Sequence, residues 1–241
     1  MDMLKDSIVK KYKSSLDGWN PLQCMPLDCQ CIRENISEDA HSVIAYPYSN
    51  NMAELAAIQG PKNIRLIIMY ISKTCYFNGD TMKYLVNEML QCKDVETIEQ
   101  YYNVLDQNFN MHPPCAQYMD KEYDKLLLGS HRKYFEEMSL WDYIIKLLNQ
   151  ITTGEILYGD NEAYDLAFKN CLSFCICILQ IDFEVSKRKN VRPLVAKCLK
   201  YHSARKTRMS DITKLLDTLY NTGYDFQVQV IDLALLVNQL K

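Results

Sequence analysis

One hydrophobic spacing recurs along most of the chain, with apolar residues three or four positions apart in segment after segment. This spacing places apolar side chains on one face of an α-helix, whereas a half-buried strand needs alternation at every second residue. Only FQVQVI at 226–231 alternates with period two, and its continuation into DLALLVNQL favours a helix there as well. The pattern predicts an all-α protein.

Capping and breaking residues divide the pattern into about ten helices. Asp80 and Asp94 are typical N-caps, and the HPP sequence at 112–114 ends the helix that Asp94 begins. Residues 64–77 are apolar nearly all round, which predicts a buried helix. Further helices are predicted around residues 4–12 and at 37–46, 51–59, 116–128, 139–151, 161–184, 191–207, 211–220 and 225–240. Short loops between antiparallel helices favour stacked hairpins, in a HEAT-like or irregular α-solenoid.

Few breakers interrupt this helical pattern. The chain has 241 residues with seven Gly and seven Pro, and no Gly-, Ser- or Pro-rich stretch is typical of a linker. We therefore expect one helical domain over 1–241, with a loop-rich part at 17–36 and a body of helical hairpins at 37–241. Because helical patterns run nearly to both ends, we also expect a domain excised from a larger protein or a small obligate subunit.

The ten cysteines favour a reducing compartment. Charges at Asp2, Lys5, Asp6 and Lys10 leave no apolar core for an export signal, and several cysteines lie within apolar helical segments, where a free thiol packs as a small hydrophobe. These cysteines are Cys75, Cys92, Cys171, Cys175 and Cys177. We expect an intracellular protein, in the nucleus or cytoplasm with the nucleus favoured. The longest apolar run, near 172–181, is too short to span a membrane, so no membrane partner is expected.

Charge is concentrated in one segment. The sequence KRKNVRPLVAKCLKYHSARKTR at 187–208 holds nine of the 27 Lys and Arg residues and no Asp or Glu. Because the whole chain has a formal charge of −3, this segment at +9 leaves the other 219 residues at −12. Such segregation creates a local positive field and indicates an acidic or phosphate-rich partner.

A helix through this segment would separate its apolar and charged residues. One face holds Val191, Leu194, Val195, Cys198, Leu199 and His202, and most cations fall opposite them or in the preceding turn. A solvated helix face is the simplest interpretation, but such faces usually carry opposite charges at i, i+4 spacing. The candidate partner- or phosphate-binding residues are Lys187, Arg188, Lys189, Arg192, Lys197, Lys200, Arg205, Lys206 and Arg208.

Catalytic and metal motifs give no comparable signal. The chain has no G-x-S-x-G, P-loop, G-x-G-x-x-G after a strand or H-E-x-x-H, so no catalytic residue, cofactor or small-molecule substrate is predicted. Cys24, Cys29, Cys31 and His41 form a C-x4-C-x-C-x9-H pattern, but no second C-x-x-C pair accompanies it. Structural zinc sites need such a pair at a defined distance, so packed thiols are favoured over a metal site.

The favoured function is therefore non-enzymatic. We expect a scaffold or subunit of an intracellular complex, docking a protein partner through the basic segment at 187–208. The alternative is a nucleic-acid-binding helical domain that places the same cations on phosphates. An enzyme of unknown class is the third interpretation, and it would require a pocket with titratable groups of perturbed pKa.

Overall fold

The computed structural model describes residues 42–43, 64, 66–114, 117–201, 214–215, 217–219 and 222–238, and the side chains of all these except 42, 43, 117, 188, 200, 201 and 238. Over this part the protein is predominantly helical, as predicted. Seven α-helices have their bounds here, fewer than the ten or so predicted for the whole chain. They are α1 Gly79–Gln91, α2 Val95–Met111, α3 Gln117–Leu128, α4 Leu140–Thr153, α5 Glu162–Lys189, α6 Leu194–Tyr201 and α7 Gln227–Asn238.

The core is built around α5, which has 28 residues and spans roughly 42 Å at 1.5 Å per residue. It packs against α1, α2, α6 and α7, while α3 packs against α1, α4 and α6. Within the described ranges, α5 is the one helix long and apolar enough to cross a membrane by length and composition, so the apolar run at 172–181 lies in a longer helix than predicted. However, 67% of its apolar window is buried inside the protein, as expected for a core helix.

Local capping explains most helix starts. Asp94, Ser139 and Asn161 each accept a hydrogen bond from the backbone N–H three residues later, so the predicted starts of α2, α4 and α5 are confirmed. Asp80 is not the N-cap of α1. Asn78 takes that role by accepting from the Thr81 N–H, and Asp80 lies in the first turn.

The predicted helix at 64–77 is wrong in its second half and in its burial. A short 3-10 helix, Ile68–Tyr70, ends the helical part, and Met69 and Tyr70 are exposed. Strand β2, Cys75–Tyr76, then pairs in parallel with β1, Ser42–Val43, so the predicted helix at 37–46 is also wrong at those two residues.

Side chains of α2 and of its C-cap residue help to explain why the chain is no longer helical after Ile71. The buried His112 ring hydrogen-bonds through Nε2 to the carbonyl of Ser72 at 2.6 Å, and the Asn108 side-chain oxygen accepts from the Phe77 N–H at 2.8 Å. Because these side chains satisfy backbone groups of 72–77, the segment does not need helical hydrogen bonds. Periodicity within 64–77 contains no information about such distant partners.

The remaining predicted elements divide into two groups. The alternating segment at 226–231 lies almost entirely in α7, so it is helical as predicted. Helix is also present at 214–215 and 217–219, within the helix predicted at 211–220. The predicted helices around 4–12 and at 51–59, and the loop-rich part at 17–36, lie outside the described residues.

Candidate functional site

The described part of the basic segment forms a corner between α5 and α6. Helix α6 begins at Leu194, three residues after the predicted start at Val191. The reason is Pro193, because its ring disfavours helical geometry at the preceding residue, Arg192. The side chains of Lys187, Lys189 and Arg192 are all exposed here. We call these three residues the basic corner.

Backbone hydrogen bonds fix the shape of this corner. Asn190 ends α5 in the left-handed conformation (φ 52°, ψ 42°), and the Val191 N–H donates to the Ser186 carbonyl at 2.9 Å. This six-to-one bond and the bond from the Asn190 N–H to the Lys187 carbonyl form a Schellman motif. On the α6 side, the Asp182 carboxylate accepts from the Leu194 N–H. The turn is therefore held at both ends.

Lys197 is also one of the predicted partner-binding cations, but it forms an ion pair within the fold. Its ammonium group binds both oxygens of Asp124 on α3, at 2.7 and 3.0 Å. Burial raises the pKa of Asp182 to about 6. The hydrogen bond from the Leu194 N–H and the charge of Lys197 lower this pKa, and the charges of Asp120 and Asp124 raise it. Lys197 thus neutralises carboxylates within the fold.

The apolar stripe of the segment is partly confirmed. Leu194, Val195 and Cys198 are buried and Leu199 is half-buried. Val191 is 56% exposed, so its predicted place in the buried stripe is wrong. The side chains of Arg188 and Lys200, and residues Arg205, Lys206 and Arg208 entirely, lie outside the described part of the chain.

Helix electrostatics give a structural explanation for some of these cations. Lys187 and Lys189 lie in the last turn of α5, where the negative end of the helix dipole favours positive side chains. Arg192 lies beyond the helix, and its guanidinium donates to the Ala196 carbonyl at 2.7 Å. The dipole effect therefore accounts for two lysines at the end of a helix, but not for the third cation of the corner.

An open groove of about 570 Å³ lies at the other end of α5. Its lining includes Tyr158, Asp165, Lys169, Tyr224 and Asp225. Asp225 accepts hydrogen bonds from Lys169 at 2.8 Å and from the Tyr158 hydroxyl. Sequence reasoning did not identify this groove. The only signal was the recurrence of an aromatic residue, glycine and Asp or Asn at 157–161 and 219–225.

Asp165 and Asp225, two of the carboxylates that line the groove, make hydrogen bonds within the fold. Burial raises the pKa of Asp165, while hydrogen bonds from Lys169 and Tyr158 outweigh burial and lower the pKa of Asp225. Asp165 also accepts from the Gly159 N–H at 3.0 Å and lies in the first turn of α5, where the helix dipole favours acids. The arrangement ties the two loops to α5 and leaves no group assigned to a reaction.

Metal ligands and thiols show no assembled centre among the residues that the structure describes. No three His, Cys, Asp or Glu side chains there are placed to hold a metal ion, and no described cysteine forms a disulfide. Burial raises the pKa of the Cys175 and Cys198 thiols, which suits packing rather than nucleophilic attack. The pattern Cys24, Cys29, Cys31 and His41 lies outside the described residues.

Comparison with known proteins adds no family to this geometry: no family model, no curated protein and no solved structure matches the chain.

Proposed function

We propose that the chain is a non-enzymatic docking subunit that binds an acidic surface of a partner protein through the basic corner. The observation that carries this proposal is the concentration of three exposed cations between residues 187 and 192. None of them pairs with a carboxylate of the described residues, whereas Lys125, Lys146, Lys169 and Lys197 elsewhere each do.

The arrangement of the described cations favours a protein over nucleic acid as the partner. Phosphate binding along a helix needs a row of available cations, because each contact displaces a counterion from the polyanion. Lys197 would stand within such a row on α6, but its charge is already neutralised by Asp124. Within the basic segment, the described cations that stay available lie at a fixed turn, which suits a local patch of carboxylates.

The finer architecture predicted from the sequence, stacked antiparallel hairpins in a HEAT-like or irregular solenoid, stays a prediction for the whole chain. In a solenoid each repeat contacts only its neighbours. Helix α5 instead packs against α1 and α2, which precede it by four and three helices. These contacts favour a bundle around α5 for the described ranges. An intracellular location, with the nucleus favoured, likewise stays a prediction.

Matched charge reversals test the docking proposal. We expect K187E/K189E/R192E to lose most of the partner that wild-type protein captures from its own cell extract. The control K93E/K121E/K133E reverses three lysines that are also exposed but lie elsewhere in the sequence. It changes the net charge by the same amount. Quantitative mass spectrometry of both captures gives the readout. Equal recovery of partners by the two variants would remove the proposal.

A second measurement separates the nucleic-acid alternative. Affinity for a generic DNA duplex, measured against salt, falls steeply when several phosphates are contacted, and each lost cation reduces the log–log slope by about one. The docking proposal predicts weak duplex binding that K187E/K189E/R192E changes little. Tight duplex binding with a slope that falls by about three in this variant would favour the alternative.

A further inference from the structure

An exposed apolar residue lies inside the basic corner. Val191 is 56% exposed and stands in the sequence between Lys189 and Arg192, both exposed. Few large apolar side chains of the described residues are exposed to this degree, and the others in that class lie elsewhere in the sequence. The corner therefore offers an apolar side chain as well as positive charge.

The Schellman motif sharpens this point. In such motifs the residue after the left-handed position usually packs against an apolar side chain in the last turn of the helix. Val191 occupies that position, and its N–H donates to the carbonyl of Ser186. The positions that this contact can use are Ser186, which is small, polar and buried, and Val185, which is half-buried, and 56% of Val191 remains exposed. The turn therefore presents the valine to solvent while its backbone is held in place.

Resting on the proposed function, we propose that the basic corner recognises an acidic peptide segment in which carboxylates flank an apolar side chain. Lys187, Lys189 and Arg192 bind the carboxylates, and the apolar side chain packs on Val191. The charges complement each other, and the apolar contact sets the position of the segment along the corner. Because the backbone of the turn is already fixed by hydrogen bonds, the ordering cost on this side falls on the three cationic side chains and not on the backbone.

The valine separates this ligand from a phosphate backbone. Contacts to phosphate and sugar come from charged and polar side chains and from backbone N–H groups. An exposed valine beside such a contact has no apolar group of the phosphate to pack on. Against an apolar side chain of a peptide, the same valine removes apolar area from water, which is favourable.

Two labelled peptides test the inference directly. Both carry the same run of Asp and Glu and differ only in a central leucine or serine. Fluorescence anisotropy should show that wild-type protein binds the leucine peptide about fivefold more tightly than the serine peptide. Val191→Ser should make the two affinities equal, because it removes the contact that distinguishes them. K187E/K189E should weaken both peptides by about tenfold and leave their ratio unchanged.

Other outcomes would overturn the inference. Equal affinities of wild-type protein for the two peptides, or a leucine preference that persists in Val191→Ser, would show that Val191 makes no contact. Tight binding of a DNA duplex by the corner, unaffected by Val191→Ser, would assign the site to phosphates. Self-association of the wild-type protein that Val191→Ser abolishes would assign the corner to a second copy of the chain.

The tests also separate this inference from the proposal on which it rests. Loss of the cellular partner in K187E/K189E/R192E, together with equal peptide affinities, would preserve the docking function and reject the acidic-apolar ligand. Retention of that partner would reject both. Circular dichroism checks that Val191→Ser is folded, which we expect because the side chain is exposed and its backbone hydrogen bond is kept.

Discussion

Asp232 is a carboxylic acid in an otherwise apolar stretch of α7. It is 1% exposed, and neither side-chain oxygen has a hydrogen-bond partner. Burial raises its pKa to about 7, well above the ordinary value near 4. The folded protein therefore binds a proton at Asp232 between about pH 4 and pH 7 that the unfolded chain releases. Stability from this group is present at low pH and is lost as pH rises toward 7.

Replacing Asp232 by leucine, which has the same branching, tests this linkage. We expect Asp232→Leu to be more stable than wild type at pH 8 by roughly 1–3 kcal/mol, since it removes a buried charge without a partner. The difference should shrink as pH falls toward 4, where the wild-type carboxyl is protonated. Urea unfolding of both proteins at several pH values measures it. A difference that is constant with pH would show that Asp232 does not titrate in this range.

Lys197 and Arg192 carry the same charge but differ in their surroundings. We expect Lys197→Glu to lower the free energy of unfolding by about 1 kcal/mol or more, because it breaks the pair with Asp124 and adds a charge near Asp182. Arg192→Glu should change stability by no more than about 0.5 kcal/mol, since this side chain is exposed. Paired urea titrations compare them. Equal midpoints would mean that the Lys197–Asp124 contact contributes nothing.

At the scale of elements, Gly79 controls how closely α1 approaches α3. A Cβ atom at this position would lie 2.6 Å from the Glu122 carbonyl oxygen, and the Gly79 N–H donates to the Glu122 side chain at 2.7 Å. The first turn of α1 thus contacts backbone of α3 directly, which only glycine permits.

We expect Gly79→Ala to destabilise the protein by about 1–3 kcal/mol, because the added methyl group must push two packed helices apart. The urea midpoint gives the measurement, with the m-value as a check that the unfolding transition is otherwise the same. An unchanged midpoint would show that α1 and α3 shift apart without cost.

Features that depend on neighbouring residues could be predicted from the sequence, whereas features that depend on distant residues could not. The helix starts at Asp94, Ser139 and Asn161 depend on capping side chains that lie three residues from their backbone partners. They could therefore be predicted from the local sequence. The non-helical segment at 72–77 contains a local turn, but it is also held by His112 and Asn108, more than 30 residues away, and local patterns do not reveal such partners.

The candidate site shows the same division. Burial of Leu194, Val195 and Cys198 followed from helical spacing. The role of Lys197 did not, because α3 covers that flank of α6 and supplies Asp124. A helical wheel divides a helix into one buried face and one exposed face. A helix packed against two others, as α6 is, can also have contacts on its polar flank. The exposure of Val191 depends on where α6 begins, which is set by Pro193 and the turn before it.

At the scale of the molecule, charge follows the long axis of α5. Glu162 and Asp165 lie in its first turn, and Lys187 and Lys189 lie in its last turn. Each pair complements the helix dipole, which contributes roughly 0.3–1 kcal/mol per side chain. That contribution stabilises the helix whether or not the basic corner binds anything. Docking additionally requires a partner that covers the corner in the cell.

The reactivity of individual lysines in native extract shows, without any substitution, whether a partner covers the basic corner. A lysine-modifying reagent is applied to the purified protein and to the protein in its own cell extract, and mass spectrometry compares each site. We predict that Lys187 and Lys189 react less in the extract, because a bound partner covers them. Lys93 and Lys121, which are also exposed, should react equally in both samples. Equal reactivity of all four lysines would show that the basic corner is a solvated surface and would contradict the account.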